Sequence, residues 1–103
     1  MTGPLAYMLP GSFAWDPAKS ERCLRERGFD FAHVVPAFRD PCRLTEPDDR
    51  FDDGEERVRL TGDVEGVLYV VVFTCRDAAL RLISARRAGA RERAAYRARA
   101  ARR

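Results

Sequence analysis

The sequence predicts an α+β fold in which two N-terminal helices and a C-terminal helix pack on an antiparallel β-sheet of three to five strands. Three observations support this prediction. Val67 to Phe73 is a continuous apolar run rich in β-branched residues, which is typical of a central strand. Two segments with helical signals precede the strands, and residues 88–103, mostly alanine and arginine, follow them. Helices that flank a block of strands indicate an antiparallel sheet with helices packed on it.

The length of 103 residues is that of one domain. Glycine and proline are frequent in residues 1–11, so we expect an irregular leader there and a single domain over residues 12–103. The hydrophobic fraction of 46% and the charged fraction of 34% are typical of a globular protein rather than a disordered one.

The three cysteines are odd in number and show no Cys-x-x-Cys spacing, which argues against a disulfide framework and against a zinc site. No signal peptide is evident, and the longest apolar run is too short to span a bilayer. We therefore expect a cytoplasmic protein that uses no metal or cofactor and contacts no membrane.

The first strand is predicted at residues 13–15, and a helix should follow it directly. Asp16 is a favourable N-cap residue, and Pro17 suits the first helical position because its missing N–H group has no helical partner there. The helix is expected to run through Arg27 and to end at Gly28.

A second helical stripe runs from Phe31 to Phe38, with apolar residues at i, i+3, i+4 and i+7 behind the N-cap Asp30. Pro36 interrupts it, since proline inside a helix removes a hydrogen bond and costs about 3 kcal/mol. We expect a short helix that kinks or restarts at Pro36 and ends before Asp40.

The remaining strands are predicted from alternation and turn signals. Residues 46–56 are acidic and predict a solvated turn. Residues 57–61 alternate as in a half-buried strand that ends at Gly62, and residues 63–66 should form a tight hairpin connection to the central strand. A third strand is expected from Leu80 to Ala85.

Charge is distributed unevenly along the chain. Residues 1–75 hold 9 basic and 14 acidic side chains, a balance of −5, whereas residues 76–103 hold 10 basic and 2 acidic side chains, a balance of +8. A basic end of this kind indicates a polyanionic partner, and RNA is the leading candidate. The structural alternative is a solvated basic tail.

The most informative segment is Arg81-Leu82-Ile83-Ser84-Ala85-Arg86, in which an apolar strand leads into an arginine-rich helix. It brings a hydroxyl group and permanent cations to a strand end. Arginine suits phosphate because its planar fork donates two parallel hydrogen bonds and remains charged at any working pH.

Several motifs resemble the BrnT family of bacterial type II toxins. Near the N-terminus the similar motifs are Phe13-x-Trp15-Asp16-x-x-Lys19 and Gly28-x-x-Phe31. In the middle of the chain they are Glu56-Arg57 and Val70-Val71-Val72-Phe73-Thr74-x-Arg76. The most specific part is Arg81-x-Ile83-Ser84-Ala85-Arg86-x-Ala88 with Glu92-Arg93 and Tyr96.

The resemblance implies a RelE-like α+β fold and a small endoribonuclease that cleaves RNA without a metal. It also implies a cognate antitoxin of the ribbon-helix-helix kind, which neutralises the toxin. The complex then represses its own operon, so operator DNA would be contacted only through the antitoxin.

The sequence departs from the family pattern in two places. The family usually has an asparagine where Cys23 stands, and Lys-His-Gly where this chain has Glu26-Arg27-Gly28. Either activity is reduced by the loss of that histidine, or proton transfer never depended on it. His33 lies nearby but out of register, and we expect it to be packed or solvated rather than catalytic.

Candidate roles follow from the chemistry of RNA cleavage, in which fixed cations stabilise the charge that develops at phosphorus. Ser84 is expected to hydrogen-bond a phosphate oxygen or to order Arg86. Tyr96 is expected to stack on a base or to assist proton transfer, and Glu56 is the nearest carboxylate that could act as a base. The phosphate-binding candidates are Lys19, Arg57, Arg81 and Arg86.

Each candidate has a structural alternative. Lys19 could be a solvated helix residue, and Arg57 and Arg81 could form cross-strand ion pairs. Ser84 could cap the last helix, Tyr96 could pack in the core, and Glu92 is expected to orient an arginine. Arg81 and Arg86 have opposite strand parity, so they share a face only if the strand ends or bulges between them.

The arginines of the C-terminal segment would add salt-dependent attraction to RNA or would dock an acidic stretch of the antitoxin. The RNA-binding candidates among them are Arg91, Arg93 and Arg97. Two further hypotheses remain at this point: a degenerate toxin that binds RNA or its antitoxin without cutting, and a standalone nucleic-acid-binding protein.

Overall fold

A computed structural model describes residues 12–48, 55–76 and 78–102. The expected leader at residues 1–11 and the centre of the acidic segment lie outside the described residues. The elements, in chain order, are β1 (Ser12–Trp15), α1 (Pro17–Arg27), α2 (Phe31–Val34), a 3-10 helix (Val35–Arg39), β2 (Leu44–Pro47), β3 (Val58–Val64), β4 (Val67–Arg76), β5 (Ala79–Arg87) and α3 (Ala90–Ala101). The predicted α+β class is confirmed.

The five strands form one sheet in the order β1-β5-β4-β3-β2. The three pairs from β2 to β5 are antiparallel, as predicted. The prediction of a purely antiparallel sheet is wrong at one edge, because β1 runs parallel to β5. The long connection from β1 through the helices and three strands allows this parallel pairing.

The first helix begins and ends where local signals predict. The Asp16 carboxylate accepts a hydrogen bond from the backbone N–H of Ala18 at 3.0 Å, and Pro17 occupies the first turn. Gly28 ends the helix with φ of 88°, a left-handed conformation that glycine adopts without a Cβ clash.

The second helical segment restarts at the predicted place. Asp30 caps α2 by accepting from the N–H of His33 at 3.0 Å, and the α-helix gives way after Val34 to a 3-10 helix that contains Pro36. The tighter helix accommodates the proline, which has no N–H group to donate.

Two details of the strands differ from the prediction. Glu46 and Pro47, predicted at the start of a solvated turn, belong instead to β2 (Leu44–Pro47), which pairs with β3 at the sheet edge. The strand predicted to end at Gly62 is β3, which continues to Val64. The hairpin turn is therefore only Glu65 and Gly66, with φ of 52° and 90°. Two successive positive φ angles are typical of a tight hairpin turn.

The core lies between α1, α2 and the 3-10 helix on one side and the adjoining face of the sheet on the other. Phe38 is completely buried and packs edge-on against the rings of Phe13 and Phe73. Trp15 is half-buried beside the core and packs edge-on against Phe31. Helix α3 contributes no buried residue.

Gly62 permits the close approach of the 3-10 helix to the sheet. A Cβ atom at this position would lie 2.7 Å from the backbone oxygen of Ala37 and 3.0 Å from its Cβ. Within the part of the chain that the structure describes, no helix is long and apolar enough to cross a membrane.

Candidate functional site

A β-bulge in β5 brings its polar side chains to one face of the sheet. Ser84 pairs with Val72 and Leu82 pairs with Phe73, so Ile83 is an extra residue without a partner on β4. Because of this insertion, Arg81, Ser84 and Arg86 lie opposite Thr74, Val72 and Val70, which alternate along β4 and share one face. The bulge expected if Arg81 and Arg86 are to share a face is therefore present.

Strand β3 adds a further arginine to this face. Arg59 in β3 and Ser84 in β5 both pair with Val72 of the strand between them, so they lie on the same face. Arg57 is two residues before Arg59, and its carbonyl extends the strand ladder by accepting from the N–H of Asp48 at 2.9 Å. We call this surface the arginine face; it consists of Arg57, Arg59, Arg81, Ser84 and Arg86.

Strand geometry gives the size of the arginine face. Neighbouring strands lie about 4.8 Å apart, so Arg59 and Ser84, separated by β4, are about 10 Å apart. The partners of Arg81 and Arg86 are four residues apart on β4, which corresponds to about 13 Å along the strand. Long arginine side chains at these spacings can reach successive phosphates of one nucleic-acid strand.

Carboxylates surround the β3 side of the arginine face. Arg59 forms ion pairs with Glu46 at 3.3 Å and with Asp48 at 3.7 Å, and the Asp48 side chain is fully buried. Arg57 lies 3.9 Å from Glu55. The cross-strand ion pair that the sequence suggested for Arg57 and Arg81 is found instead at Arg59, which lies opposite Glu46.

Arg86 is bound tightly to the first turn of α3. Its two terminal nitrogens donate to the two carboxylate oxygens of Glu92 at 2.8 and 2.6 Å, and Glu92 also accepts from the N–H of Gly89 at 2.7 Å. The hydrogen bonds from Arg86 are the main reason that the pKa of Glu92 falls to about 2. Glu92 thus orients an arginine, as expected, and Gly89 rather than Ser84 is the N-cap residue of α3.

Tyr96 is neither in the core nor free in solvent. Its hydroxyl group donates to the Asp40 carboxylate at 2.5 Å, and the residue is half-buried on α3. Burial and the neighbouring Asp40 charge both raise the pKa of Tyr96 well above its ordinary value. The phenol therefore keeps its proton at neutral pH.

Lys19 lies at the sheet edge beside β5. It lines a shallow cavity of about 220 Å³ where β1 ends and the edge of β5 continues. Ser84 lines the same cavity, so the hydroxyl-bearing residue adjoins both this edge and the arginine face. The rim of the cavity also carries Arg22 and Arg27, which sequence reasoning did not select.

Arg27 makes a structural contact with the sheet edge. Its Nη1 atom donates to the carbonyl of Ala85 at 2.6 Å, and the Cys23 thiol donates to the same oxygen at 3.6 Å. In return, Arg87 donates to the carbonyl of Arg27 at 3.1 Å. Both departures from the family pattern therefore join α1 to the edge of β5.

Glu56 is exposed and lies before β3. Its carbonyl accepts from the Thr74 hydroxyl at 2.6 Å. Burial raises the pKa of the Cys75 thiol, and the Glu56 charge raises it further. Cys75 pairs with the core residue Leu80, on the face opposite Thr74.

The candidate RNA-binding arginines of α3 do not share one face. Successive helical residues are rotated by about 100°, so Arg91 and Arg93 point to opposite sides of the helix. Arg93 donates to the carbonyl of Ala88 at 2.8 Å, and Arg97 is exposed one turn further on. Arg91 lines a cavity of about 440 Å³ together with Arg59 and Glu92.

The single histidine lies away from these residues. The Nε2 atom of His33 is 3.3 Å from the Tyr69 hydroxyl, and its ring packs edge-on against Tyr69. Over residues 12–48, 55–76 and 78–102, no three histidine, cysteine or carboxylate side chains are grouped so that they could hold a metal ion.

Comparison with known proteins adds a family match. A family model described as the ribonuclease toxin, BrnT, of a type II toxin-antitoxin system matches residues 15–92. The match covers more than half of the chain and includes the whole arginine face. No curated protein matches the chain.

Proposed function

Because this chain belongs to the BrnT family of ribonuclease toxins of type II toxin–antitoxin systems, we propose that it is an endoribonuclease whose arginine face binds and cleaves RNA. The observation that carries the proposal is the bulge at Ile83, since it puts Arg81 and Arg86 of β5 on the face of the sheet that also carries Arg59 of β3. We further propose that cleavage needs no metal and takes place in the cytoplasm, within a single domain over residues 12–103.

The proposed reaction uses the 2′-hydroxyl group of the RNA as the nucleophile. Its oxygen attacks the adjacent phosphorus, the bond from phosphorus to the 5′ oxygen breaks, and a 2′,3′-cyclic phosphate and a 5′-hydroxyl group result. The attacking hydroxyl loses a proton and the leaving oxygen gains one. Negative charge accumulates on the phosphoryl oxygens at the transition state, so fixed guanidinium groups lower the barrier.

Arg57 and Arg81 are the proposed phosphate ligands. They lie at the end of the arginine face away from Glu92, on either side of Thr74. Ser84 is proposed to donate to a phosphoryl oxygen, and Arg59 to add charge between the strands. Lys19 is proposed to bind a neighbouring phosphate at the sheet edge, through the cavity that it shares with Ser84.

A cleavage assay in the presence of a chelator tests the phosphate ligands. Arg57→Ala and Arg81→Ala should each reduce the rate about 10²–10³-fold, the loss typical of a missing transition-state donor. Arg25→Ala is the matched control, because Arg25 is exposed on α1 and its loss removes the same charge. If both variants cut RNA like the wild-type protein, the proposed site is wrong.

Glu56 is proposed as the general base, and Glu55 provides the control. Glu56→Gln should remove the acidic limb of the pH–rate profile, whereas Glu55→Gln should shift rates only slightly through its effect on Arg57. The reverse result would transfer the role to Glu55. Equal profiles in both variants would mean that neither carboxylate takes the proton.

We propose a ribbon-helix-helix antitoxin as the partner, with operator DNA bound only through it. A neighbouring gene that encodes such a protein should restore growth and RNA integrity when it is expressed together with this chain. An unrelated neighbour without that effect would contradict the proposed partner.

A second candidate function is supported by Arg27. Its guanidinium group is engaged with the sheet edge at the position where the family usually has a histidine. A degenerate toxin would still bind RNA or its antitoxin but would not cut. Salt-sensitive RNA binding by the purified wild-type protein, without cleavage under any tested condition, would favour this function over the nuclease.

A further inference from the structure

Helix α3 is attached to the rest of the protein in an unusual way, because none of its residues is buried. Most helices are held by an apolar face that packs on a core. The side-chain hydrogen bonds of α3 are therefore expected to matter more for its position than they would in a helix with a buried apolar face.

Two of these contacts join α3 to the segment just before it. Glu92 binds Arg86, six residues earlier, and Arg93 binds the carbonyl of Ala88. They fix the start of the helix but leave its direction to contacts further along. Tyr96 makes such a contact, since its hydroxyl group reaches Asp40, 56 residues away in sequence.

Asp40 is held in place by two hydrogen bonds besides the one from Tyr96. One carboxylate oxygen accepts from the N–H of Cys42 at 2.8 Å, and the other accepts from the N–H of Asp63 in β3 at 2.8 Å. The carboxylate is thus fixed between the end of the 3-10 helix and the sheet. A hydrogen bond to such a fixed acceptor sets the direction of the helix that carries the donor.

We propose that Tyr96 and Asp40 form a latch that orients α3, and that Tyr96 is a positioning residue which acts on RNA only by placing Arg91 beside Arg59. The two arginines line the same cavity when the latch is closed. Donation of the phenolic proton to RNA would require this latch to break. The second part of the proposal rests on the proposed RNA binding by the arginine face.

The test compares Tyr96→Phe, Asp40→Asn and the double variant with the wild-type protein. Asp30→Asn is the matched control, because it weakens a carboxylate cap of α2 without touching α3. Amide hydrogen exchange in α3 reports the latch directly. Binding is measured with a labelled single-stranded 2′-O-methyl RNA of mixed sequence, which the proposed reaction cannot cleave.

Opening the latch should speed exchange in α3 several-fold and should weaken RNA binding several-fold. The slope of log Kd against log salt should fall by about 0.7 for each phosphate that the protein no longer neutralises. Asp40→Asn also alters the hydrogen bonds from Cys42 and Asp63, so the comparison is made on exchange in α3 alone, where the double variant should exchange no faster than Asp40→Asn. With cleavable RNA, KM should rise in Tyr96→Phe while kcat and its pH profile remain unchanged.

Three outcomes would overturn the proposal. Unchanged exchange in α3 of Tyr96→Phe would show that the helix does not depend on the latch. Unchanged RNA affinity despite faster exchange would remove the positioning role. A lower kcat with a changed pH profile would make Tyr96 a catalytic residue. If the wild-type protein cuts no RNA, the nuclease proposal fails, but exchange and binding still decide the latch.

Discussion

Neutralising Glu92 should loosen the junction between β5 and α3. Glu92→Gln keeps the size of the side chain but removes the charge that binds Arg86 through two hydrogen bonds, at 2.8 and 2.6 Å. An amide can accept from one guanidinium nitrogen, yet its own NH₂ group then faces the other donor. The variant therefore loses at least one charge-assisted hydrogen bond and gains an unfavourable contact.

The size of the effect follows from the pKa of Glu92, which is lowered from an ordinary 4.5 to about 2. Each pKa unit corresponds to about 1.36 kcal/mol, so the carboxylate contributes at most about 3 kcal/mol to the free energy of unfolding. The Arg86 and Glu92 side chains are 39% and 24% exposed. Solvent screening therefore reduces the expected loss in Glu92→Gln to about 1–2 kcal/mol.

Urea denaturation at a series of pH values measures this loss. Because folding lowers the pKa of Glu92, its contribution is complete above about pH 4.5 and is lost as the pH falls towards 2. The stability curves of the wild-type protein and Glu92→Gln should converge over that interval. Glu21→Gln, an exposed carboxylate variant on α1, should follow the wild-type curve throughout. A constant difference between pH 7 and pH 2 would refute the ion-pair explanation.

Three further variants test other contacts. Gly62→Ala should lower the free energy of unfolding by about 1–3 kcal/mol in chemical denaturation, because its Cβ atom would meet the Ala37 oxygen at 2.7 Å; unchanged stability would show that the 3-10 helix can move away. Arg27→Met should lose about 1 kcal/mol in the same assay, since the Ala85 carbonyl loses a donor at 2.6 Å. Arg91→Ala should reduce the salt slope of RNA binding by about 0.7, and an unchanged slope would remove Arg91 from the interface.

Local signals made much of the helical structure predictable. Asp16 and Pro17 determine the start of α1, and Gly28 determines its end, because capping and backbone preferences act over only a few residues. The change from α-helix to 3-10 helix before Pro36 follows from the missing N–H group.

The missed features depend on pairing between distant segments. Leu44–Pro47 has little strand character of its own and becomes β2 only because β3 offers an edge. The sequence indicated that Arg81 and Arg86 share a face only if the strand ends or bulges between them. It did not locate the bulge at Ile83, because an extra residue is defined only by the pairing with a partner strand. The parallel pairing of β1 with β5 likewise leaves no local signal.

The site was predictable in its residue types more than in its geometry. Arg59 has the same strand parity as Arg57, so alternation alone could have identified it. Asp40 gave no signal of its partner, because its bond to Tyr96 joins segments that only the folded chain brings together. Glu92 was expected to orient an arginine, whereas its partner Arg86 and the two hydrogen bonds between them were not predicted.

The position of β1 has a consequence for how the protein is made. Ser12 in β1 pairs with Ala79 in β5, so β1 lacks its partner strand until β5 has been synthesised. Strands β1 and β5 cannot close the sheet until most of the chain has been synthesised, and contacts across such long loops form slowly. A nascent chain that has not yet released β5 therefore lacks the surface proposed to bind RNA.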